Sequence, residues 1–576
     1  MRCARGHLSR CPRTAGTGKG GLLQGFFLEQ TFTPFWAPSF VPMGQFSKCA
    51  LLKKPTQNST YNSVMKTSLF RIISTAPVLS LCAFALAAEA PTDIGDRREL
   101  FVDGQLVEQL SGQAKLQLHH PEPQEIVLTH DEPWEGSLSV FHSVFKDGDL
   151  YRMYYRGWQV TSLADRLDVS AVRNLCYAES HDGIHWRKPE LGLFEFDGSK
   201  ANNIVLPSGA FKGVNVKVEA TAVFWDENPQ AAPEGRYKTL LNGGNITGPK
   251  SLLAFQSPDG IHWTPMQDAP VMAGDAYDSQ NLAFWDTARG EYRAYWRPQN
   301  GEAKGAVRGI RTATSPDFIH WNNAADLEYV DSPPEHLYTN VIKPYHRAPQ
   351  ILLGFPSRYV DRGWSESTRA LPEREHRELR ARGSQRYGTA VSDTLIMASR
   401  DGVAFKRWNE AFLRPGIERP GTWNYGQQMM AWQLVETKSA LAGAPNELSL
   451  YVLEDNWTGT SNALRRYTLR LDGFVSVSAP VSGGELITKP IRFKGRRLEL
   501  NFSTSAAGSV RVEIQDANGK PLPGFTLADC PAIFGDAIER SVTWSQGTDV
   551  GALAGQPVRL RFVLNDADVY AFQFKE

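Results

Sequence analysis

The stretch ESHDGIHW, residues 179–186, decides how the chain folds. It returns as QSPDGIHW at 256–263, as TSPDFIHW at 314–321 and, loosened, as ASRDGVAFKRW at 398–408. The tryptophans that end the four copies, Trp186, Trp263, Trp321 and Trp408, stand 77, 58 and 87 residues apart. One motif per unit at such spacing marks a repeat of small sheets, none of which buries its faces alone. The aspartates of the motif (Asp182, Asp259, Asp317, Asp401) suit turn backbone N–H groups, and the tryptophans suit the wedge between units, so a structural role accounts for the repetition.

Outward from each copy lie hairpins. Residues 139–158, 220–241, 281–297, 340–359 and 428–455 each read as strand, polar turn, strand, with alternating aromatic and β-branched residues. Hairpin, third strand and a short outer strand make four strands per unit and five units, which predicts an all-β chain: a five-bladed β-propeller over 97–474. RELFVDGQLV, 98–107, is expected to return and complete the last blade. The charge-dense run 361–388 interrupts the fourth unit as a surface insertion with one helix near 372–382, placed to overhang one face. After Gly483-Gly484 the aromatic hairpins give way to segments alternating apolar and polar residues, which predicts a β-sandwich over 484–576.

The 576 residues exclude a single small module, and the 62 basic and 62 acidic residues give no excess for a nucleic-acid backbone. That balance conceals an asymmetry. Residues 1–88 hold ten Lys and Arg against one acid, and the remainder carries nine net negative charges. Met65, Lys66 and Arg71 precede the apolar run VLSLCAFALAA, 78–88, the pattern of a signal peptide over 65–88. Residues 1–64 then read as a non-native or disordered extension. The expected destination is the periplasm or the outside of the cell, with no membrane anchor and a monomeric chain. Cys176 and Cys530, alone after the leader, are expected to be buried singly rather than bonded.

The repeat, the leader and the terminal segment together resemble the five-bladed propeller glycoside hydrolases, the group of arabinanases, xylosidases, invertases, levansucrases and mannoside phosphorylases (glycoside hydrolase families 32 and 43 and their kin). The leader and blade pattern are also similar to secreted hydrolase-like proteins of planctomycete-type bacteria. The resemblance covers about Arg98 to Phe474 and implies a carbohydrate substrate, no cofactor, and carboxylates at the blade mouths. No sequence motif specifies a structural cation in the central channel.

Glycoside cleavage needs one carboxylic acid to protonate the leaving oxygen and a second carboxylate as base or nucleophile. The first unit offers THDEPWEGS, with His130, Asp131, Trp134 and Glu135; the second sets Glu219 in an apolar run; the third opens with Asp278 and Asn281. The candidate catalytic acids are Asp131, Glu135, Glu219 and Asp278. Candidate sugar contacts are His130, Trp134, Asn281, Arg297, Glu335, Tyr338, Arg358 and Trp423. The resemblance implies an Asp on the first inner strand, but the matching position falls near Leu138 or Ser139, so the roles do not transfer directly. Arg156, Arg297 and Arg358 end second strands; they either pair with acids between blades or ring the pocket, where they would favour an anionic sugar. The leading expectation is a secreted glycosidase. Its rival is a non-catalytic glycan-binding or scaffold propeller, and a sialidase-like site would require the three arginines to converge.

Overall fold

Polar turns between apolar-polar alternations set the strands where the hairpin pattern puts them. The computed structural model describes residues 90–243, 249–298 and 307–576; the expected extension and signal peptide lie outside the described residues. The first sheet runs Val140–Asp147, Leu150–Gly157, Asn174–Ser180 and Ile204–Pro207, neighbours in that order. The second is built on Val223–Trp225, Tyr237–Gly243 and Ser251–Ser257, and the third on Leu282–Asp286, Glu291–Trp296, Arg311–Ser315 and Asn322–Asp326. The fourth contains Lys343–Tyr345, Ala348–Gly354, Met397–Ser399 and Ala404–Arg407. The fifth contains Val435–Thr437, Glu447–Glu454 and Ala463–Arg470.

The arrangement is propeller-like. Val223 N–H donates to Ser143 Oγ (3.0 Å), Asn281 N–H to Ala220 O (3.0 Å) and Asn340 Nδ2 to Gln280 O (3.1 Å). Trp432 donates through Nε1 to Ile342 O (2.9 Å) and through its backbone N–H to His142 O (2.8 Å). These bonds join each sheet to the next and the fifth to the first. Fully buried Trp432 also packs on Phe224 and Phe284, so one indole touches the second, third and fourth sheets.

The repeated turns act between sheets. Asp182, Asp259 and Asp317 each accept two backbone N–H bonds through Oδ1 and hold the motif histidine at 2.7 Å through Oδ2. A side chain at Gly260, which has φ +78°, would meet the Tyr154 hydroxyl of the first sheet at 2.2 Å. The third copy puts Phe318 there at φ +70° and buries its ring against Phe224 and Tyr292.

The outer strand of the fifth sheet is Glu122–Thr129, paired with Ala463–Arg470, and not the predicted 98–107. Glu99–Leu100 instead pairs with Ala571 and Phe572 in a ten-stranded sheet, because Leu100, Phe101, Val102 and Leu106 are too apolar for an outer edge and bury there. Lys115–Leu118 joins the same sheet through Val475–Ala479, so strands from 92–118 and 475–479 pair into one sheet with the C-terminal strands. Its backbone is the long pair Arg497–Asp516 and Val558–Lys575. Cys176 and Cys530 are buried and unbonded. Among the described residues no helix is long and apolar enough to cross a membrane.

Candidate functional site

Two carboxylates stand at equivalent points of neighbouring sheets. Glu219 precedes the strand Val223–Trp225 by four residues, and Asp278 precedes Leu282–Asp286 by four. Both open on one recess of about 200 Å³. Trp158, Tyr338, Tyr387, Tyr425 and Trp457 give it aromatic walls, and Arg156, Arg297, Arg308 and Arg386 also line it. Flat apolar faces beside a few fixed polar groups are the usual make-up of a small-molecule site. Trp457 holds φ +66°, a conformation disfavoured for a bulky side chain and the kind of strain that collects at functional sites.

Cations surround Glu219. Arg173 Nη1 and Lys217 Nζ each lie 2.8 Å from its carboxylate, while Arg156 donates to its backbone carbonyl at 2.6 Å and to Leu138 O at 3.2 Å. Burial pushes the Glu219 carboxyl up, but Arg156, Lys217 and Arg173 outweigh it and hold the group below the usual carboxylate range. Burial brings the Arg156 guanidinium down to about 10, with Glu219 opposing the fall. Asp278, 39% exposed, accepts from Arg297 Nη1 at 2.8 Å, and the same guanidinium reaches Tyr338 O at 3.0 Å. The recess thus brings Glu219, Asp278, Arg297 and Tyr338 together.

The other predicted residues are not on its wall. Glu135 is fully buried, bonded to Lys188 Nζ (2.6 Å) and to the Tyr155 hydroxyl, and burial, opposed by Lys188, raises its pKa. Asp131 points to solvent and touches Lys188 at 3.3 Å. His130 is buried against His142, Nε2 to Nε2 at 3.0 Å, and burial lowers its pKa to about 3. Trp134 donates to Asn203 Oδ1 at 2.6 Å and packs edge-on to Phe196, so it lies in a hydrophobic cluster rather than on a sugar face. Asn281 spends its amide on Ala220 O (2.8 Å) and Tyr277 O (3.2 Å). Arg358 pairs with Glu335 (2.8 Å) and Asp393, and Glu335 also holds Arg407 (2.9 Å). Trp423 donates to Gly416 O at 3.0 Å. In most of these cases a partner from another part of the chain takes up the polar group that the sequence left open.

The insertion at 361–388 supplies what the sequence reading missed. It forms the hairpin Ser357–Asp361 with Ala390–Thr394 and three helices, α1 (Glu366–Ala370), α2 (Arg374–Gly383) and α3 (Gln385–Thr389). Buried Arg377 donates to Trp423 O (2.7 Å) and buried Arg380 to Asn424 Oδ1 (2.6 Å), which pins α2 to the 422–424 loop and brings Arg386 and Tyr387 of α3 to the recess. Tyr387 stacks on Trp457 with centroids 4.9 Å apart. The charge density of the insertion was the only sequence signal for these residues. Among the described residues no three His, Cys, Asp or Glu side chains cluster to hold a metal ion.

No family model and no curated protein matches the chain. Solved structures similar to it include an N-acetylgalactosamine deacetylase from F. plautii in complex with blood group B trisaccharide, at 14% identity and TM-score 0.39, over 61% of this chain and 94% of that one. A structure from the GH130 family of mannoside phosphorylases, described as containing glycoside hydrolases that target β-1,2 mannosidic linkages in Candida mannan, aligns at 14% identity and TM-score 0.35 over 61% and 94%. The catalytic domain of the Coprinopsis cinerea GH62 α-L-arabinofuranosidase aligns at 9% identity and TM-score 0.37 over 61% and 97%.

Proposed function

We propose that the protein is an exported glycosidase that cleaves a poly- or oligosaccharide in the recess between Glu219 and Asp278. The observation that carries this reading is the meeting of two carboxylates from neighbouring sheets with aromatic walls in one opening. Glu219, kept ionised by its three cations, takes the part of base or nucleophile, or stabilises positive charge at the anomeric carbon. Asp278, the more exposed of the two, takes the part of proton donor once a sugar oxygen competes for Arg297. Tyr387 and Trp457, stacked on each other, offer a ring face to a sugar. Export rests on the apolar run 78–88. We read the five hydrogen-bonded sheets as five blades, and the ten-stranded sheet, whose long strands fold over a buried apolar core, as a sandwich.

One observation favours a second reading, a glycan-binding protein without turnover. Both carboxylates are already held at 2.8 Å by guanidinium groups, so each is occupied before a sugar arrives. The deciding experiment incubates the full chain with neutral, uronic and sulfated glycans and reads released sugar beside the Glu219→Gln and Asp278→Asn variants. Release lost in both variants supports the glycosidase. Retention of a glycan without release, weakened in the same variants, supports the binding protein.

A further inference from the structure

Four guanidinium groups line the recess against two carboxylates. Arg156 and Arg297 are engaged: the first with Glu219 O and Leu138 O, the second with Asp278 and Tyr338 O. Arg308 and Arg386 are not. Among the described residues neither side chain makes a hydrogen bond or close ion pair with a carboxylate or carbonyl; Arg308 lies over the rings of Tyr338 (5.8 Å) and Tyr359 (5.4 Å), within the field of Asp278, and Arg386 lies over Tyr387 (5.4 Å). Arg386 Nε is buried and without a hydrogen-bond partner, as are the Nε atoms of Arg156 and Arg297, whose residues are only 5% and 4% exposed. Arg173, Arg293, Arg380 and Arg407 also leave a buried Nε unpaired, but their terminal nitrogens reach Glu219, Glu291, Asn424 Oδ1 and Glu335, whereas those of Arg308 and Arg386 reach no such oxygen among the described residues. A neutral sugar would leave the surplus charge of the recess uncompensated.

We propose that Arg308 and Arg386 form an anion subsite, and that the ligand of the recess is a sugar carrying a carboxylate or a sulfate ester. The proposal rests on the reading of the recess as a glycan site and names the class of glycan. The two guanidinium groups come from different elements, Arg308 from the segment before Arg311–Ser315 and Arg386 from α3, so each contributes its own planar set of donors. The tyrosine rings beneath them keep the guanidinium groups extended over apolar surface, where a charge-assisted hydrogen bond to an oxyanion is stronger than in open water. Arg297 holds the Asp278 carboxylate and Arg156 the Glu219 backbone carbonyl, while Arg308 and Arg386 are left to the ligand.

The test is titration calorimetry on the full chain with a glucuronate-containing disaccharide, a sulfated galactose-containing disaccharide, their neutral counterparts, and inorganic phosphate. Either anionic disaccharide should bind at least about tenfold more tightly than its neutral counterpart, and Arg308→Gln and Arg386→Gln should each remove about tenfold of that affinity. The uronate and sulfate arms decide which anion is preferred. Arg374→Gln, at an exposed pair with Glu378, should leave binding unchanged, and unfolding curves should show each variant folded. Neutral disaccharides bound as tightly as anionic ones, but lost in Glu219→Gln, would overturn the anion subsite and leave the glycan reading standing. Phosphate binding without sugar binding, or anionic sugar binding indifferent to both arginines, would also overturn the subsite. Binding of no disaccharide at all by the folded chain would overturn both.

Discussion

The loop at 130–135 and the recess at Glu219 and Asp278 hold the same kinds of residue and do opposite things with them. The loop brings two histidines, a tyrosine, a glutamate and a lysine together and closes over them, leaving Glu135, His130 and His142 almost wholly out of water. The recess brings two acids, four arginines and five aromatic side chains around one opening of about 200 Å³. Burial raises the Glu135 carboxyl, and cations lower the Glu219 carboxyl. A dense polar cluster is therefore no sign of a site until its access is known. A closed one stabilises the ring where the fifth sheet meets the first, and an open one can receive a ligand.

The sharpest way to break this comparison is to remove one acid from each side. Glu219→Gln should lower glycan turnover by roughly 10²- to 10⁴-fold, the range of general acid-base contributions, in a chain that still folds. Glu135→Gln should do the reverse, leaving KM unchanged while lowering stability. Parallel turnover assays and urea titrations of the two variants read both effects. A Glu135 variant that is stable but inactive would place the chemistry in the loop.

Next in size is the loop's own cation. Lys188 Nζ binds Glu135 (2.6 Å), Asp131 (3.3 Å) and Thr129 O (2.7 Å). Lys188→Met leaves a buried carboxylate without its counter-ion and should cost ~3–5 kcal/mol of stability in urea unfolding. The loss should shrink as the pH falls, because protonating Glu135 removes the unpaired charge. A loss that stayed constant with pH would mean that the lysine acts by packing alone.

The fold was legible because strand alternation and turns are local. The five hairpins and the motif turns announce themselves in sequence, and Asp259 with His262 needs only neighbours three residues apart. The outer strand of the fifth sheet was not legible, since 98–107 and 122–129 both look like strands and only the distant pairing with 463–470 chooses between them. The same limit shaped the site. Glu219 and Asp278 stand out in the sequence as acids at the entry to apolar inner strands, whereas Trp134, Asn281 and Arg358 looked available because Asn203, Ala220 and Asp393 lie far along the chain. Arg386 reaches the recess only because Arg377 and Arg380 anchor α2 on a loop some 45 residues away.

The buried histidines give a pH signature of their own, between pH 7 and pH 5. Burial keeps His130 neutral down to about 3 and holds His142 well below its ordinary range. A group with a depressed folded pKa is protonated first in the unfolded chain, so stability is full above about 6.5 and falls as the pH drops toward the folded value. At pH 5 each histidine should cost roughly 2 kcal/mol relative to pH 7.5, since each pH unit below the unfolded pKa is worth about 1.4 kcal/mol. His130→Gln should flatten the stability profile between pH 7 and pH 5. An unchanged profile would mean that water reaches the pair and that the loop is not closed.

The smallest effect belongs to the turn carboxylates, which sit at the opposite extreme from Glu135. Asp259 is 46% exposed, accepts the backbone N–H groups of Ile261 and His262 at 2.8 Å each, and pairs with the His262 ring at 2.7 Å. These bonds favour its charged form and, with the His262 contact, depress its pKa despite partial burial. The stability it contributes is present above the ordinary aspartate value near 3.8 and is lost as the pH falls through the lower folded value. Asp259→Asn keeps an oxygen for the backbone bonds and gives up the charge, so it should cost about 0.5–1 kcal/mol at pH 7, discounted by solvent screening, with no change in glycan binding. Asp182 and Asp317 make the same bonds in other sheets, and the three losses should add, because the turns share no partner. A triple variant that lost far more than the sum would show the turns coupled around the ring of sheets, and one that lost glycan binding would tie the outer turns to the recess.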